Sequence, residues 1–394
     1  MRYDTVIIGG GLSALVCGIE LARGGKKVAL VAKGHSTLHF WSGSFSLLNG
    51  NKSSLAEDHP YSKVDDAQFL EDAHTAIEIL SVAGISTVGS VDESHRYITP
   101  TGGAKSCFAT IEGMLTLEEA KTFKSVTLLG IEGFLDFYPD FIAQTLKDLG
   151  VETTLDHFSL PETVIRRANP TEMRSVAVAR ALDKEENIRA LASIISRCST
   201  ETVILPAVLG FERSDVWERL ETLSGKTIRT VATMPPSVEG IKTERALRRV
   251  FTNFGGTILS GHTVECGNIV DNCVQSITTS KCVTLTADNF VLATGSFIGG
   301  GLTSDRDCVG ESIFGVDTLQ NTERVSRELF EQQPFMGLGV VTDNDFRTLL
   351  SGEVVDNLYA CGAVLGGFNP VKEGSGAGVS MITAIEVAKR ILNR

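Results

Sequence analysis

Short apolar runs that stop at glycine and are followed by helix-length stretches mark both ends of this chain. Thr5-Val6-Ile7-Ile8 is an apolar run of buried-strand length, and Gly9-Gly10-Gly11 follows at once. Leu12 to Arg23 then reads as a helix, and Gly24-Gly25 ends it. Val28-Ala29-Leu30-Val31 is a second buried strand. The last 40 residues return to the same pattern. Leu358-Tyr359-Ala360-Cys361-Gly362 leads into Gly366-Gly367-Phe368-Asn369-Pro370, then Glu373-Gly374-Ser375-Gly376-Ala377-Gly378, and Val379 to Leu392 reads as a closing helix.

Between these ends the pattern is less uniform. His35 to Ser44 is a loop rich in aromatic and hydroxyl residues, and polar, turn-rich sequence fills 49–64. Asp65 to Ala83 predicts a helix with an acidic first turn, which its dipole favours. Thr99 to Ser106 is a loop punctuated by proline and glycine. Ser125 to Leu149 reads strand, glycine turn, helix, a second small βα unit. Thr171 to Arg197 is helical and densely charged, Val203 to Leu209 is a short strand, and Pro235-Pro236 precedes a helix from Lys242 to Asn253. From Gly256 the runs shorten to Thr257–Ser260, Val264–Cys266, Cys273–Thr279 and Cys282–Thr286, a mostly antiparallel meander. It ends in the buried run Phe290 to Ala293, followed by Thr294-Gly295. No internal repeat is visible.

The opening 34 residues are a dinucleotide-type fingerprint, with Gly9, Gly11 and Ala14 at its three small-residue positions. Backbone N–H groups of Gly9, Gly10, Gly11, Leu12, Ser13 and Ala14 can approach a phosphate at a helix N-terminus, where the dipole favours an anion. The fingerprint breaks at its last step. Where an Asp or Glu would grip an adenosine ribose there is Ala32, then Lys33. Two further elements add to the first. Thr294 and Gly295 let a strand end abut a cofactor without an intruding side chain. Gly362, Gly374 and Gly376 offer backbone donors suited to the carbonyl edge of a flavin ring or its ribityl chain. An enzyme using only nicotinamide has no evident need for this return to the cofactor.

Composition narrows the function. A chain of 394 residues with 42% hydrophobic residues and 39 glycines can bury a large core as an α/β protein. The net charge of −12 argues against a nucleic-acid partner. Among the eight cysteines no two form a C-x-x-C pair, so no iron–sulfur cluster and no other metal site is expected. No run of about 18 apolar residues offers a membrane span. Asp4 and the glycine triplet argue against a signal peptide, which leaves a cytoplasmic chain whose membrane contact must come through a partner.

Three glycine elements in this order resemble the two-dinucleotide-fold flavoproteins of the glutathione-reductase and succinate-dehydrogenase type, and Asn357 to Gly376 carries the likeness most closely. The resemblance narrows further. D-T-V-I-I-G-G-G-L-S-A-L, L-H-F-W-S-G-S-F, T-P-T-G-G-A-K-S, L-G-I-E-G-F-L-D-F, P-P-S-V-E-G-I and L-Y-A-C-G-A-V-L-G-G-F-N-P together resemble the B-subunit family of anaerobic glycerol-3-phosphate dehydrogenases, over essentially the whole length. The resemblance implies FMN in this chain, with FAD as the alternative. It also implies two partners: an FAD-bearing catalytic A subunit, and a membrane-attached iron–sulfur C subunit. Together they would oxidise sn-glycerol 3-phosphate to dihydroxyacetone phosphate and pass electrons toward quinone, at the inner face of the cytoplasmic membrane. A missing acid at Ala32 suits FMN, which has no adenosine, and missing cysteine clusters suit a chain that hands its electrons on.

The expected fold is therefore α/β. A Rossmann-like flavin domain is built from 1–60 and 250–394, and 61–249 is inserted as a cap or substrate lobe. Oxidising an alcohol requires a base, a hydride acceptor and cations for the phosphate. His39, in the loop expected beside the flavin, and Lys105 are the candidates for catalysis. Each has a plain alternative, as a hydrogen-bonded loop histidine and a solvated lysine. Ser42, Gly43 and Ser44 are short donors suited to phosphate or ribityl oxygens, or a plain turn. Arg166, Arg167, Arg174 and Arg180, or Arg245, Arg248 and Arg249, could form a phosphate pocket, or be helix charges balanced by acids. Phe134, Phe137, Tyr138 and Phe141 carry helical spacing and read as core, or as a contact with a partner. Two other readings stay open: a non-catalytic FMN relay and assembly subunit, and another FAD-dependent oxidoreductase of the fumarate-reductase or tRNA-modifying kind. The net charge weighs against the tRNA version.

Overall fold

The computed structural model describes residues 1–321, 325–328 and 330–394. Its contacts divide the chain into two units. The first comprises Met1–Thr37, Ser46–Ile85 and Glu244–Arg394, and the second Leu38–Phe45 and Ser86–Thr243.

The first unit is a Rossmann-like α/β sheet. Its strands run in the order Thr257–Ser260, Val28–Ala32, Arg2–Ile8, Thr284–Leu292, Cys273–Thr279 and Val264–Val270. Arg2–Ile8 lies parallel to both neighbours, with Ile8 opposite Val31 on one side and Leu292 on the other. The buried run Val6 to Ile8 needs this placement, because a strand in the middle of a parallel sheet is covered on both faces. Glu353–Ala360 joins parallel to the far end of Thr284–Leu292, placing Leu292 opposite Ala360, and Arg347–Leu350 pairs antiparallel with it. The helices Leu12–Arg23 and Gly376–Leu392 pack on each other, and Asp66–Val82 packs on the latter. Buried Asp72 pairs with Lys389 across that second contact, so the helix Asp66–Val82, read from sequence as part of an inserted lobe, belongs to the first unit.

Two strand expectations are corrected. Thr257–Ser260 is not part of an antiparallel meander; it lies parallel to Val28–Ala32. Cys282–Thr286 and the run from Phe290 are one nine-residue strand, Thr284–Leu292. Its start pairs antiparallel with Cys273–Thr279 and its end pairs parallel with Glu353–Ala360, so one strand serves two environments.

The second unit holds a four-stranded parallel sheet in the order Thr227–Val231, Thr202–Pro206, Ser125–Ile131 and Glu152–Phe158. Glu152–Phe158 is an edge strand whose side chains before buried Phe158 are mostly exposed, which hides it from a search for apolar runs. The expected long helix 171–197 is broken into Ser175–Leu182 and Glu185–Ser196. Buried Asp183 stands at the break and accepts the backbone N–H groups of Phe211 and Glu212. Phe134 and Phe137 precede the helix Pro139–Asp148 and are core residues, whereas Tyr138 and Phe141 are exposed.

Candidate functional site

Sheet register aligns the three glycine elements of the first unit. Gly9, Ala293 and Cys361 each follow the last residue of adjacent parallel strands. The Gly9 N–H donates to Val31 O, the Ala293 N–H to Ile8 O and the Cys361 N–H to Leu292 O, each at 2.9 Å. The opening turn, Thr294-Gly295 and Gly362 therefore stand side by side at the carboxyl edge of the sheet, where open α/β folds bind ligands.

Each element shows a reason for its small residues. Gly9 sits at φ +139°, and a Cβ there would overlap the carbonyl oxygen of Ala293. Gly362 sits at φ +76°, and a Cβ there would overlap the Ser13 hydroxyl, so the third element touches the first. The Gly362 N–H donates to Thr383 Oγ1 at 2.9 Å. Gly374, at φ +57°, makes room for Asn49. Gly376 opens the closing helix.

These residues fit a phosphorylated flavin. Gly11 and Ser375 place no side-chain acceptor on the first turns of Leu12–Arg23 and Gly376–Leu392; at the closing helix the Gly378 N–H donates to Ser46 O at 2.8 Å, which leaves the Gly376 and Ala377 N–H groups to face an anion. Thr294 Oγ1 is buried and has no protein hydrogen-bond partner. A buried hydroxyl in that state costs about 1–3 kcal/mol unless a ligand or water engages it.

Beneath this edge the groups are inert. Cys17 and Cys361 are buried, and a hydrogen bond with Cys361, then burial, push the Cys17 thiol well above its usual value. His59, also buried, accepts the Tyr61 N–H at Nδ1 (3.0 Å) and lies 3.2 Å from Glu373 through Nε2. Burial lowers its pKa, so it is the neutral ring that ties the segment before Gly374 to the 59–61 turn. Lys33 is exposed at the end of Val28–Ala32.

Apart from Arg245, Arg248 and Arg249, the other candidates lie in the second unit. Ser42 Oγ is 3.0 Å from Ser44 Oγ and donates to the Tyr97 hydroxyl, while Trp41 Nε1 donates to Ser44 O at 2.6 Å. A Cβ on Gly43 would overlap the Met114 sulfur. Trp41 packs on Phe45 with ring centroids 4.6 Å apart, so this loop is closed on itself and its indole has a structural task. The His39 carbonyl accepts the Ser237 N–H at 2.7 Å. Lys105 is not in a loop: it is exposed on the strand Ala104–Cys107, paired with His95–Ile98 through a Thr99–Gly103 turn. The arginines expected to gather round a phosphate face carboxylates. Arg166 pairs with Glu162 and Glu172, Arg167 with Glu132, Arg174 with Asp136 and Arg180 with Glu212.

Of the second arginine set read from the sequence, Arg248 lies in the first unit with an acid beside it. Glu244 and Arg248 pair along the helix Val238–Asn253, and Glu244 also accepts the Ser36 hydroxyl at 2.5 Å. Their i, i+4 spacing is visible in the sequence, but their position beside the opening glycine turn is not.

A glycine turn at a helix N-terminus is joined by register to two further small-residue strand ends, and residues 4–379 match the FAD binding domain family, which makes the chain a flavin-binding oxidoreductase. Among curated proteins, the B subunit of anaerobic glycerol-3-phosphate dehydrogenase from Yersinia pestis bv. Antiqua (strain Antiqua) is 38% identical, covering 100% of this chain and 99% of its own. Those of Pectobacterium carotovorum subsp. carotovorum (strain PC1) and Actinobacillus pleuropneumoniae serotype 5b (strain L20) are 35% and 33% identical, with 99% of each covered. The chain belongs to this B-subunit family, within the FAD-binding-domain flavoproteins. Among solved structures it is similar to E. coli quinol fumarate reductase, at 11% identity and TM-score 0.45 over 100% of this chain and 70% of that one. L-proline dehydrogenase from P. horikoshii gives 14% and 0.36 over 98% and 92%. Among the described residues no helix is long and apolar enough to cross a membrane, and no group of three or more His, Cys, Asp or Glu could hold a metal ion.

Proposed function

We propose that this chain is the flavin subunit of a quinone-linked anaerobic glycerol-3-phosphate dehydrogenase. It oxidises sn-glycerol 3-phosphate to dihydroxyacetone phosphate. Electrons pass on through an iron–sulfur C subunit in the membrane, and an FAD-bearing A subunit works beside it. The chain acts in the cytoplasm, held at the inner membrane face by the iron–sulfur partner. The observation that carries this reading is the alignment of three glycine elements on one sheet edge, in a chain that matches its B-subunit relatives from end to end.

The flavin, when bound, supplies the acceptor for the substrate's hydride. Gly9 to Ala14 would hold its phosphate with backbone donors, and Thr294, Gly295, Gly362 and the start of the closing helix would hold its ribityl and ring portions. FMN is the form the site favours, because Ala32 offers no grip on an adenosine ribose. His39 remains the candidate base, and Lys105 the candidate for balancing charge.

A second reading is favoured by one observation. Arg166, Arg167, Arg174 and Arg180 each face an acid, so this set leaves no obvious phosphate pocket. Under that reading the chain relays electrons and the substrate binds only the FAD-bearing partner. Anaerobic titration of the purified chain with glycerol 3-phosphate separates the two. Bleaching of the flavin without that partner supports the dehydrogenase. Flavin that is reduced only when the partner is present supports the relay. Acid release and chromatography of the cofactor tests FMN against FAD.

A further inference from the structure

The end of the second strand lacks its usual acid, yet the space above it is not empty. The helix Val238–Asn253 leads through Gly255 and Gly256 into the strand Thr257–Ser260, which pairs with Val28–Ala32 so that Ser260 lies opposite Ala32. This connection brings Arg248 over the carboxyl ends of the strands. Its Nη1 is 3.3 Å from Ser260 Oγ. A Cβ placed on Gly10 would lie 3.3 Å from its Nη2 and 2.7 Å from Ala32 Cβ. A guanidinium thus stands against the middle glycine of the phosphate turn, close to where a dinucleotide fold would put its ribose acid.

The guanidinium is also held there. Glu244, its side chain 7% exposed, lies 2.9 Å from Arg248 Nε, and Arg248 itself is 22% exposed. The other Glu244 oxygen accepts the Ser36 hydroxyl at 2.5 Å and the Ser36 N–H at 3.4 Å. The carboxylate is hydrogen-bonded by Ser36 on one side and forms an ion pair with the Nε edge of the guanidinium on the other, while the buried Nε–H itself has no hydrogen-bond partner among the described residues. Nη2 is the guanidinium nitrogen that stands against Gly10. A planar, always-charged fork is suited to phosphate oxygens.

We infer that Arg248 is a ligand of the flavin's phosphate, positioned by Glu244 and Ser36, and that it supplies at the opening turn the charge recognition that the missing acid cannot. The inference rests on the reading of this edge as the flavin site. It assigns Arg248 the task of distinguishing a phosphorylated flavin from riboflavin. The preference suits a terminal phosphate, because FMN presents a dianion to the turn whereas FAD presents a diphosphate with less charge per phosphorus.

The test is fluorescence-quench titration of the full-length chain, freed of cofactor, with FMN, FAD and riboflavin, alongside Arg248→Met, Arg248→Lys and Glu244→Gln. Circular dichroism checks that each variant is folded. Loss of a charge-assisted phosphate contact is expected to weaken FMN binding by about 10- to 100-fold in Arg248→Met. Riboflavin affinity should stay within about 3-fold, since it lacks the group concerned. Arg248→Lys should recover part of the loss, and Glu244→Gln should fall between the wild type and Arg248→Met. An unchanged ratio of FMN to riboflavin affinity in Arg248→Met overturns the inference, as does an equal fall for both flavins. If FAD binds more tightly than FMN and still loses affinity in Arg248→Met, the FMN reading fails and the role of Arg248 stands. If none of the three flavins binds the wild type, the reading of the edge as a flavin site fails, and this inference with it.

Discussion

Phe251 fixes the first unit in a way that single and double substitutions can measure. Its ring is fully buried on the helix Val238–Asn253 and lies between two glycines. A Cβ on Gly18, in the helix Leu12–Arg23, would lie 2.9 Å from its Cε2 and 3.1 Å from its Cδ2, and a Cβ on Gly256 would overlap the ring. Backbone walls cannot collapse into the hole that Phe251→Ala leaves, so its cost should be near the upper part of about 3–5 kcal/mol. Gly18→Ala has two opposed effects. Alanine favours the helix by about 1 kcal/mol. Its methyl group also overpacks the ring, at about 1–3 kcal/mol. In the wild type the net effect is destabilising by up to about 2 kcal/mol. In Phe251→Ala the clash is gone, leaving the helix gain plus about 0.8 kcal/mol for a methyl that fills part of the hole. The same substitution should therefore change sign between the two backgrounds, with a coupling of about 2–4 kcal/mol. Urea unfolding followed by far-UV circular dichroism is the assay. Both tryptophans, Trp41 and Trp217, lie in the second unit and would not report on this contact. If Gly18→Ala has the same sign and size in both backgrounds, the ring does not pack between these helices as described.

Three further outcomes are expected. Gly9→Ala, at φ +139° against the Ala293 carbonyl, should lose flavin and several kcal/mol of stability, read by cofactor content and thermal unfolding; retention of flavin at wild-type level would refute the close approach. His59→Phe removes the acceptor for the Tyr61 N–H and the contact with Glu373, and should cost about 2–4 kcal/mol and speed hydrogen exchange around 373–378; unchanged exchange there would count against the tie. Burial pushes the Asp72 carboxyl up to about 7 from its ordinary 3.8, against the pull of Lys389. The native state then holds a proton that the unfolded chain has lost, so this group's contribution to stability is full below about pH 4 and is lost as pH rises through about 7. The stability difference between wild type and Asp72→Asn should shrink or reverse over that interval, and a pH-independent difference would show that Asp72 does not titrate this way.

Much of the fold is legible because its signals are local. An apolar run, a glycine turn and a helix period fall within about thirty residues, and the helix Leu12–Arg23 and the strand Thr257–Ser260 form where those signals put them. The misreadings have equally specific causes. Glu152–Phe158 carries exposed edge side chains, and the break at Asp183 is set by backbone donors nearly thirty residues away. Of the candidate site, the glycine positions were legible, since a close backbone approach leaves no other residue type. The states of Ser42, Ser44 and Trp41 were not, because their partners are fixed only when Ser44–Phe45 pairs with Ala109–Ile111.

By itself the sequence determined a glycine turn at a helix N-terminus, two further small-residue elements and a missing ribose acid, each a property of neighbouring residues and their backbone needs. The tertiary structure decided which strands lie side by side, and so that Gly9, Thr294 and Gly362 share one edge. It also decided that Arg248 comes to stand against Gly10, some 240 positions earlier in the chain. That proximity follows from parallel pairing of Thr257–Ser260 with Val28–Ala32, which only the assembled sheet fixes.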